Sequence, residues 1–340
     1  MQSRGLLDLQ VNGFAGVNFN ATDLDADALD RALTAMPGTG VTACLPTIIT
    51  ASAETLAERI GALDRAVAGS RLGPIMVPGY HLEGPFLNPA DGYMGCHPPH
   101  VMAAPDADLV FGLEADLSRP ILLVTLAPEL PGSEAFIRIL SGAGKIVAVG
   151  HFSADADTVA MAVEVGASMA THLGNGVPQA LHKLNNTIFS QLSEERFNAS
   201  FIADGIHLPR PALKAIFRAK GIEHSVPVSD AVSAATGRPG RYSFAGMEIE
   251  HGADGSVRVP GSRHLAGSAL TLDKAVGNIV RWELASPEEA IQMACDDPRS
   301  MLAPALRAHG LPIPPAGHVR WSTDWEALRV EHGDMMHRRM

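Results

Sequence analysis

Short apolar runs of strand type alternate with helical patterns along this chain, and that rhythm narrows the architecture more than any other feature. The runs are "LLDLQVN" (6–12), "VTACLP" (41–46), "IMVPGYHLE" (75–83), "ILLVTLAP" (121–128), "KIVAVGH" (145–151), "GASMATHL" (166–173), "NASFIADG" (198–205) and "SVPVSDA" (225–231). Between them apolar residues recur at helical spacing, as Leu29, Leu33 and Met36 do after Thr22 and Asp23, and as Leu56, Ile60 and Leu63 do. Further helices are expected from about Asp155, capped by Ser153, and near 211–220. Alternation of this kind implies a parallel sheet, and eight such units close an α/β barrel of the (β/α)8 TIM type. A doubly wound open sheet is the alternative, but no GxGxxG follows the first run.

The rhythm breaks at "RYSFAGMEIEHGADGSVRVPG" (241–261), where two alternating runs flank "GADGS". A β-hairpin insertion after strand eight is predicted there. Helices near 267–281 and 287–296 complete a barrel domain over 1–310, leaving 311–340 as a tail able to form a small terminal sheet. A chain of 340 residues, 46% apolar, has enough material for a large core. The net charge of −11 excludes a nucleic-acid surface. No apolar run reaches the length of a membrane span, and the N-terminus lacks the features of a signal peptide. Cys44, Cys96 and Cys295 are too widely spaced for a disulfide framework or a CxxC metal knuckle. A cytoplasmic homodimer with no nucleic-acid or membrane partner is expected.

In such a barrel the C-terminal strand ends and the loops after them build the active site. In order they carry Gln10 and Asn12, Glu83, His151, His172, Asp204 with His207, and Asp230. A carboxylate closing a buried strand is costly unless something pairs with it. Two imidazoles and one carboxylate from three strands make an open Zn2+ site with a position left for water. Asp230 can then act as base toward that water. Plainer readings compete. A single histidine after a strand is commonly structural, and Glu83 alone can accept loop N–H groups. Asp204 in "IADG" and Asp155 in "SADAD" read as turn and helix-start residues. Many of the fourteen histidines must be incidental, yet matching positions on three strands are hard to reach by chance.

At these residues the sequence resembles the amidohydrolase superfamily and, within it, the N-acetylglucosamine-6-phosphate deacetylases. The matching stretches are "LDLQVNGFAGVNFN", "LPTIIT", "HLEGPFLNP", "VTLAPE", "VAVGH", "ATHLGN", "FIADGIHL", "VSDA" and "LAGSALTLDKAV", in the family's order. The resemblance implies a metal-dependent amide hydrolase that removes an acetyl group from an N-acetylated amino sugar. It implies one divalent metal ion, Zn2+, held by Glu83, His151 and His172, with Asp230 as general base and then acid. His207 is implied to contact the substrate and polarise the scissile carbonyl. His97, in "GCHPPH", is implied to bind the sugar and support the carbonyl. Asn175 and Gly176 match the place where backbone N–H groups meet the substrate's phosphate.

Four departures modify that expectation. The first-strand HxH pair of two-metal members is Gln10-x-Asn12 here, and amides are poor Zn2+ ligands, so one tightly bound metal is expected. "THLGNG" stands for the more usual "THLFNAM". The arginine that clamps phosphate falls on Lys183, or on His182, which predicts weak discrimination between phosphorylated and unphosphorylated sugars. The ends are short, so the family's β-sandwich is reduced or absent. Two other functions stay open at this point: hydrolysis of a different, non-phosphorylated N-acyl or cyclic amide, and a catalytically inactive binding scaffold. A scaffold would not need Glu83, His151, His172 and Asp230 together.

Overall fold

Every residue of Leu6–Val11 and of Val41–Ile49 is buried, as a strand packed on both faces requires. These are β1 and β2 of an eight-stranded parallel sheet. It continues through β3 (Tyr80–Glu83), β4 (Ile121–Leu126), β5 (Ile146–Val149), β6 (Ala167–Ala170), β7 (Asn198–Phe201) and β8 (Ser225–Pro227), each beside its predecessor. Helices between the strands cover the outside, giving the predicted (β/α)8 barrel and disposing of the open-sheet alternative. The computed structural model describes residues 1–262, 264–332 and, as backbone, 335–338; positions 333, 334, 339 and 340 of the predicted tail lie outside the described residues.

The barrel closes between β8 and β1 at one end. Val11 bridges Ala231, Asp230 N donates to Gln10 O (2.9 Å) and Asn12 N donates to Ala231 O (2.7 Å). Lower in the seam, the Asp8 carboxylate accepts the N–H of Gln10 (3.3 Å) and of Ser229 (3.2 Å), standing in for ladder carbonyls. Burial pushes its carboxyl up to about 7.

Several boundaries differ from the expectations, each for a local reason. The run at 75–83 is not one strand: Gly73–Met76 is a short helix with Pro74 in its first turn, and only Tyr80–Glu83 joins the sheet. Strand eight stops at Pro227, well before residue 231, because Asp230 has φ +48° and cannot continue a ladder. The helix expected to end near 296 runs Pro287–Ala308, through Pro298 and Pro304. Proline inside a helix costs a hydrogen bond and a clash, and here burial of eleven residues of this helix outweighs that cost. The helix placed at 267–281 begins only at Leu272.

The insertion after strand eight contains three strands rather than one hairpin: β9 (Gly240–Phe244), β10 (Met247–His251) and β11 (Val257–Arg258). Ala245 (φ +49°) and Gly246 (φ +82°) make the additional two-residue turn, the left-handed pair that tight hairpins use. Phe244, Ile249 and Val257 form a separate small core with Ile49 of β2, Val232 and Ala234, which seats the insertion on the barrel. At the other end, β12 (His318–Trp321), β13 (Ala327–His332) and β14 (Met335–Arg338) make the terminal sheet. It is not built from the tail alone, because the N-terminal strand Gln2–Arg4 pairs with β12.

Arg299 joins these parts. From the buried face of helix Pro287–Ala308 its Nη1 donates to Gly5 O (2.6 Å) and Cys295 O (2.7 Å), and its Nη2 to Thr42 Oγ1 (3.2 Å). Arg299→Met keeps the volume and leaves those acceptors unpaired, so it is expected to lower the unfolding free energy by about 2–3 kcal/mol. Urea denaturation measures this, and a loss under about 0.5 kcal/mol would show that these contacts are dispensable.

Candidate active site

Glu83 is the last residue of β3, buried, with both oxygens turned toward imidazoles. His172 Nε2 lies 2.8 Å and His151 Nε2 3.5 Å from Oε1, while His97 Nε2 lies 3.9 Å from Oε2. The three rings pack edge to face, with centroids 4.6 Å apart for His97–His151 and 4.9 Å for His151–His172. The predicted ligands Glu83, His151 and His172 are thus together, and His97 completes the ring of donors around the carboxylate.

Hydrogen bonds on the far side of two of the rings fix what faces Glu83. His151 Nδ1 lies 2.7 Å from Tyr93 O; a carbonyl only accepts, so Nδ1 carries the proton and Nε2 presents a lone pair. Thr50 Oγ1 donates to Glu83 O (3.3 Å), which makes the same hydroxyl an acceptor for His97 Nδ1 (2.8 Å) and again leaves Nε2 as a lone pair. Lone pairs therefore face a carboxylate that has only lone pairs, an arrangement that calls for a cation among them. Ligands about 2.0–2.1 Å from a four-coordinate ion stand roughly 3.3 Å from one another, close to the separations observed. The donor set, two or three imidazoles and one carboxylate, fits a divalent ion. Burial alone would raise the Glu83 carboxyl, but the surrounding imidazoles of His151, His172 and His97 outweigh it and hold Glu83 well below the usual range. Burial likewise pushes His97 down to about 3, aided by its neighbour His151.

The backbone is bent to achieve this. His151 (φ +55°), His172 (φ +30°) and Asp230 (φ +48°) all occupy the left-handed region, one or a few residues past the ends of β5, β6 and β8. Such a conformation costs a non-glycine residue about 1–3 kcal/mol and persists only where the surroundings enforce it. Gly95 and Gly176 leave room for the His151 ring: a Cβ at Gly176 would meet Nδ1 at 2.6 Å, and one at Gly95 would meet Cε1 at 3.0 Å.

Asp230 faces this cluster, and the first-strand amides serve it. Asn12 Nδ2 (2.7 Å) and Gln10 Nε2 (3.2 Å) both donate to Asp230 Oδ1. The pair that replaces HxH therefore steers the carboxylate and leaves Oδ2 available. Burial, and next the Glu83 charge, push Asp230 up to about 6, against the opposing pull of His172 and His207. His207 is positioned by a residue read from sequence as a turn former. Asp204 Oδ1 caps the N–H groups of Ile206 and His207 (2.8 Å each), while Oδ2 pairs with His207 Nδ1 (2.6 Å). Asp204 fills both roles; the three-residue spacing to His207 was the available signal. Thr50 and the Tyr93 carbonyl carried none.

These groups line one cavity of about 450 Å³, together with Asn175, Gly176, Gln179, Phe244, Arg258 and His264, a size suited to a small ligand. Lys183, expected at the phosphate, is exposed and is not part of this lining. Asn175 and Gly176 do line it, but the Asn175 N–H donates to His172 O (3.0 Å), as does its side-chain amide (3.1 Å). Arg258 had no counterpart in the sequence reading.

Purified protein is expected to retain about one divalent ion per chain through dialysis, and Glu83→Gln to lower that affinity by more than about a hundredfold, since even outer partners of ligands contribute ten- to a hundredfold. Elemental analysis decides this; two retained equivalents would make Gln10 and Asn12 ligands after all.

No family model matches the chain. It is 32% identical over 299 residues to an N-acetylgalactosamine-6-phosphate deacetylase of Shewanella sp. (strain ANA-3), covering 88% of this chain and 73% of that one. It is 33% identical over 312 residues to the N-acetylglucosamine-6-phosphate deacetylase of Bos taurus, with the same coverage of 88% and 73%. Among solved structures, a mutant N-acetyl-D-glucosamine-6-phosphate deacetylase from Mycobacterium smegmatis, in complex with N-acetyl-D-glucosamine-6-phosphate, superposes with a TM-score of 0.85. That match covers 98% of this chain and 86% of the other at 27% identity. With a barrel of the same build and relatives of this similarity across most of its length, the chain belongs to the N-acetylglucosamine-6-phosphate and N-acetylgalactosamine-6-phosphate deacetylases of the amidohydrolase superfamily.

Proposed function

We propose that this protein removes the acetyl group from an N-acetylated amino sugar by hydrolysis of the linear amide. The observation that carries this reading is the Asp230 carboxylate, held through Oδ1 by Asn12 and Gln10 and turned toward the Glu83–His97–His151–His172 cluster in one cavity. Glu83, His151 and His172 would hold a divalent ion, Zn2+ in this reading, which would supply Lewis acidity toward water and the acetamide carbonyl.

The chain's own groups account for the proton. Asp230 Oδ2 accepts it from the attacking water and returns it to the sugar nitrogen as the C–N bond breaks, giving acetate and the free amine. Burial, by raising Asp230, brings its affinity for the proton nearer to what both halves of that transfer require. His207, with Nδ1 committed to Asp204, has Nε2 left to bind the sugar. His97, fixed through Thr50 with its Nε2 lone pair turned to the cavity, accepts a hydrogen bond from the sugar.

A cytoplasmic homodimer belongs to the same reading, and the free thiols of Cys44, Cys96 and Cys295 agree with a reducing compartment. The position of Lys183 outside the cavity lining favours a second reading, an N-acyl or cyclic amide substrate without phosphate.

Acetate release from N-acetylglucosamine, N-acetylgalactosamine and their 6-phosphates tests the proposal; no release from any of the four, with metal present, would end it. Asp230→Asn is expected to keep the metal and lose about a thousandfold or more in kcat. Activity within about tenfold of wild type would reduce Asp230 to a structural role. Asp204→Ala frees the His207 ring and should cost about ten- to a hundredfold in kcat/KM with metal content unchanged. Steady-state kinetics beside elemental analysis separates that result from loss of the metal.

A further inference from the structure

We propose that His81, two residues before Glu83 on β3, is a positioning residue: with Thr47, Thr125 and Thr171 it forms a hydrogen-bonded chain across the barrel interior that holds Glu83, His151 and His172 in place for the ion. This rests on the reading of those three as metal ligands and is independent of which sugar is hydrolysed.

The interior of such a barrel is ordinarily filled by branched apolar side chains. Here His81 and the three threonines are all buried, and none of them lines the catalytic cavity, so the proposed transfer of the acetyl group does not use them. Alternate residues of a strand share a face, so His81 points inward as Glu83 does, one step deeper. The pairing along the chain has one direction. Thr47 Oγ1 donates to Leu45 O (3.3 Å) and accepts the N–H of Val11 (3.2 Å). With its proton committed, it accepts from His81 Nδ1 (3.3 Å), so that nitrogen carries the ring proton. His81 Nε2 is left as a lone pair and accepts from the Thr125 hydroxyl (2.8 Å), which in turn accepts from Thr171 Oγ1 (2.7 Å). A neutral imidazole suits the middle of this chain because it donates at one end and accepts at the other. Both of its nitrogens are committed, so His81 is not itself a ligand. A buried network with all its members paired is rigid.

The chain reaches the backbone of every ligand. Thr125 lies beside Glu83 in the sheet register. Thr171 immediately precedes His172, and Gly150 immediately precedes His151. The two hydroxyls meet across β5 at Gly150, where a Cβ would come within 3.0 Å of Thr125 Cγ2 and 3.1 Å of Thr171 Cβ. The main chain is tied at the same level: Gly150 N donates to Leu126 O (3.0 Å), Thr171 N to Val149 O (2.8 Å) and His172 N to Ser200 Oγ (2.7 Å). The left-handed residues His151 and His172 follow directly on these pinned positions. Such strain persists only where the surroundings over-determine it, and the chain through His81 supplies that constraint. Its far end receives the N–H of Val11, the residue before Asn12, and so reaches the strand that steers Asp230 as well.

The test measures the Zn2+ dissociation constant of the whole protein by competition with a chelator, in wild type, Thr125→Val, Thr125→Ser, His81→Leu and Arg299→Met. Valine keeps the shape of threonine and removes the hydroxyl, so Thr125→Val still decides the matter if His81→Leu does not fold. Thr125→Val and His81→Leu are each expected to weaken Zn2+ about tenfold or more, the lower end of what a ligand's outer partners contribute. Thr125→Ser keeps the hydroxyl and should stay within about threefold of wild type. Arg299→Met, which loosens the fold at the opposite end of the strands, is the stability control and should also bind within about threefold. Urea unfolding of the metal-free proteins establishes that each is folded where its affinity is read. Replacing Zn2+ by Co2+ gives a second reading, because its visible absorption follows ligand geometry: the spectrum should change in Thr125→Val and not in Arg299→Met. The proposal is overturned if Thr125→Val binds Zn2+ within about threefold of wild type, or if Arg299→Met loses as much as Thr125→Val does. No Zn2+ binding by wild type would sink the ligand reading and this proposal with it, whereas failure to release acetate from any sugar would sink the deacetylase reading alone.

Discussion

A buried carboxylate that faces the nitrogen lone pairs of two imidazoles is unstable in a protein interior unless a cation completes the set. Glu83 is that carboxylate, and the surrounding architecture serves the arrangement. The Tyr93 carbonyl and the Thr50 hydroxyl accept the Nδ1–H groups of His151 and His97 and so keep the proton on the far side of each ring. Gly95 and Gly176 give the His151 ring its space. The left-handed backbone at His151, His172 and Asp230 is the conformational cost of bringing three side chains over one barrel mouth. A fold with a smaller core could not enforce three such residues; here the strands beneath His151 and Asp230 are buried throughout, and the one beneath His172 at all but Ser168.

The same hydrogen bonds that close the barrel also place the proton carrier. Asp230 N donates to Gln10 O, and Asp230 Oδ1 accepts from Gln10 and Asn12 side chains, so the β8–β1 seam and the base share residues. Asp8 continues the seam one layer down through Ser229. This gives the Gln10-x-Asn12 departure from a histidine pair a physical sense. Amides bind a divalent ion poorly but donate well to a carboxylate, and here both amides donate to Asp230 Oδ1. Catalytic geometry and barrel closure are thus parts of one network.

The cavity has two ends of different character, built by different parts of the chain. The catalytic end comes from strand termini, which are fixed by the sheet. The mouth is bordered by the 92–97 and 174–179 loops and by the insertion, with Gly92 packed so closely on Pro178 that a Cβ would meet Pro178 Cα at 2.5 Å. The barrel thus supplies the Glu83 and Asp230 side of the lining, while a small sheet with its own core supplies Phe244 and Arg258.

Eight apolar runs, and the polar residues at the ends of six of them, were legible in the sequence, because strand burial and strand termination are local properties. Glu83, His151, His172, His207 and Asp230 followed directly from the order of those runs. Boundaries were less legible where a local signal was overridden. Pro298 and Pro304 argued for a helix end, and burial of Ala294, Cys295 and Leu302 carried the helix past them. What only the tertiary structure decided involves residues far apart in sequence that meet in space. The turn of His97 toward Glu83 and the gift of Asn12 and Gln10 to Asp230 each depend on contacts that no local pattern encodes. Lys183 makes the point most clearly. Its place after the "THLGN" stretch put it at the expected phosphate position, but a charge acts through distance in space, and the fold leaves Lys183 exposed and outside the cavity lining.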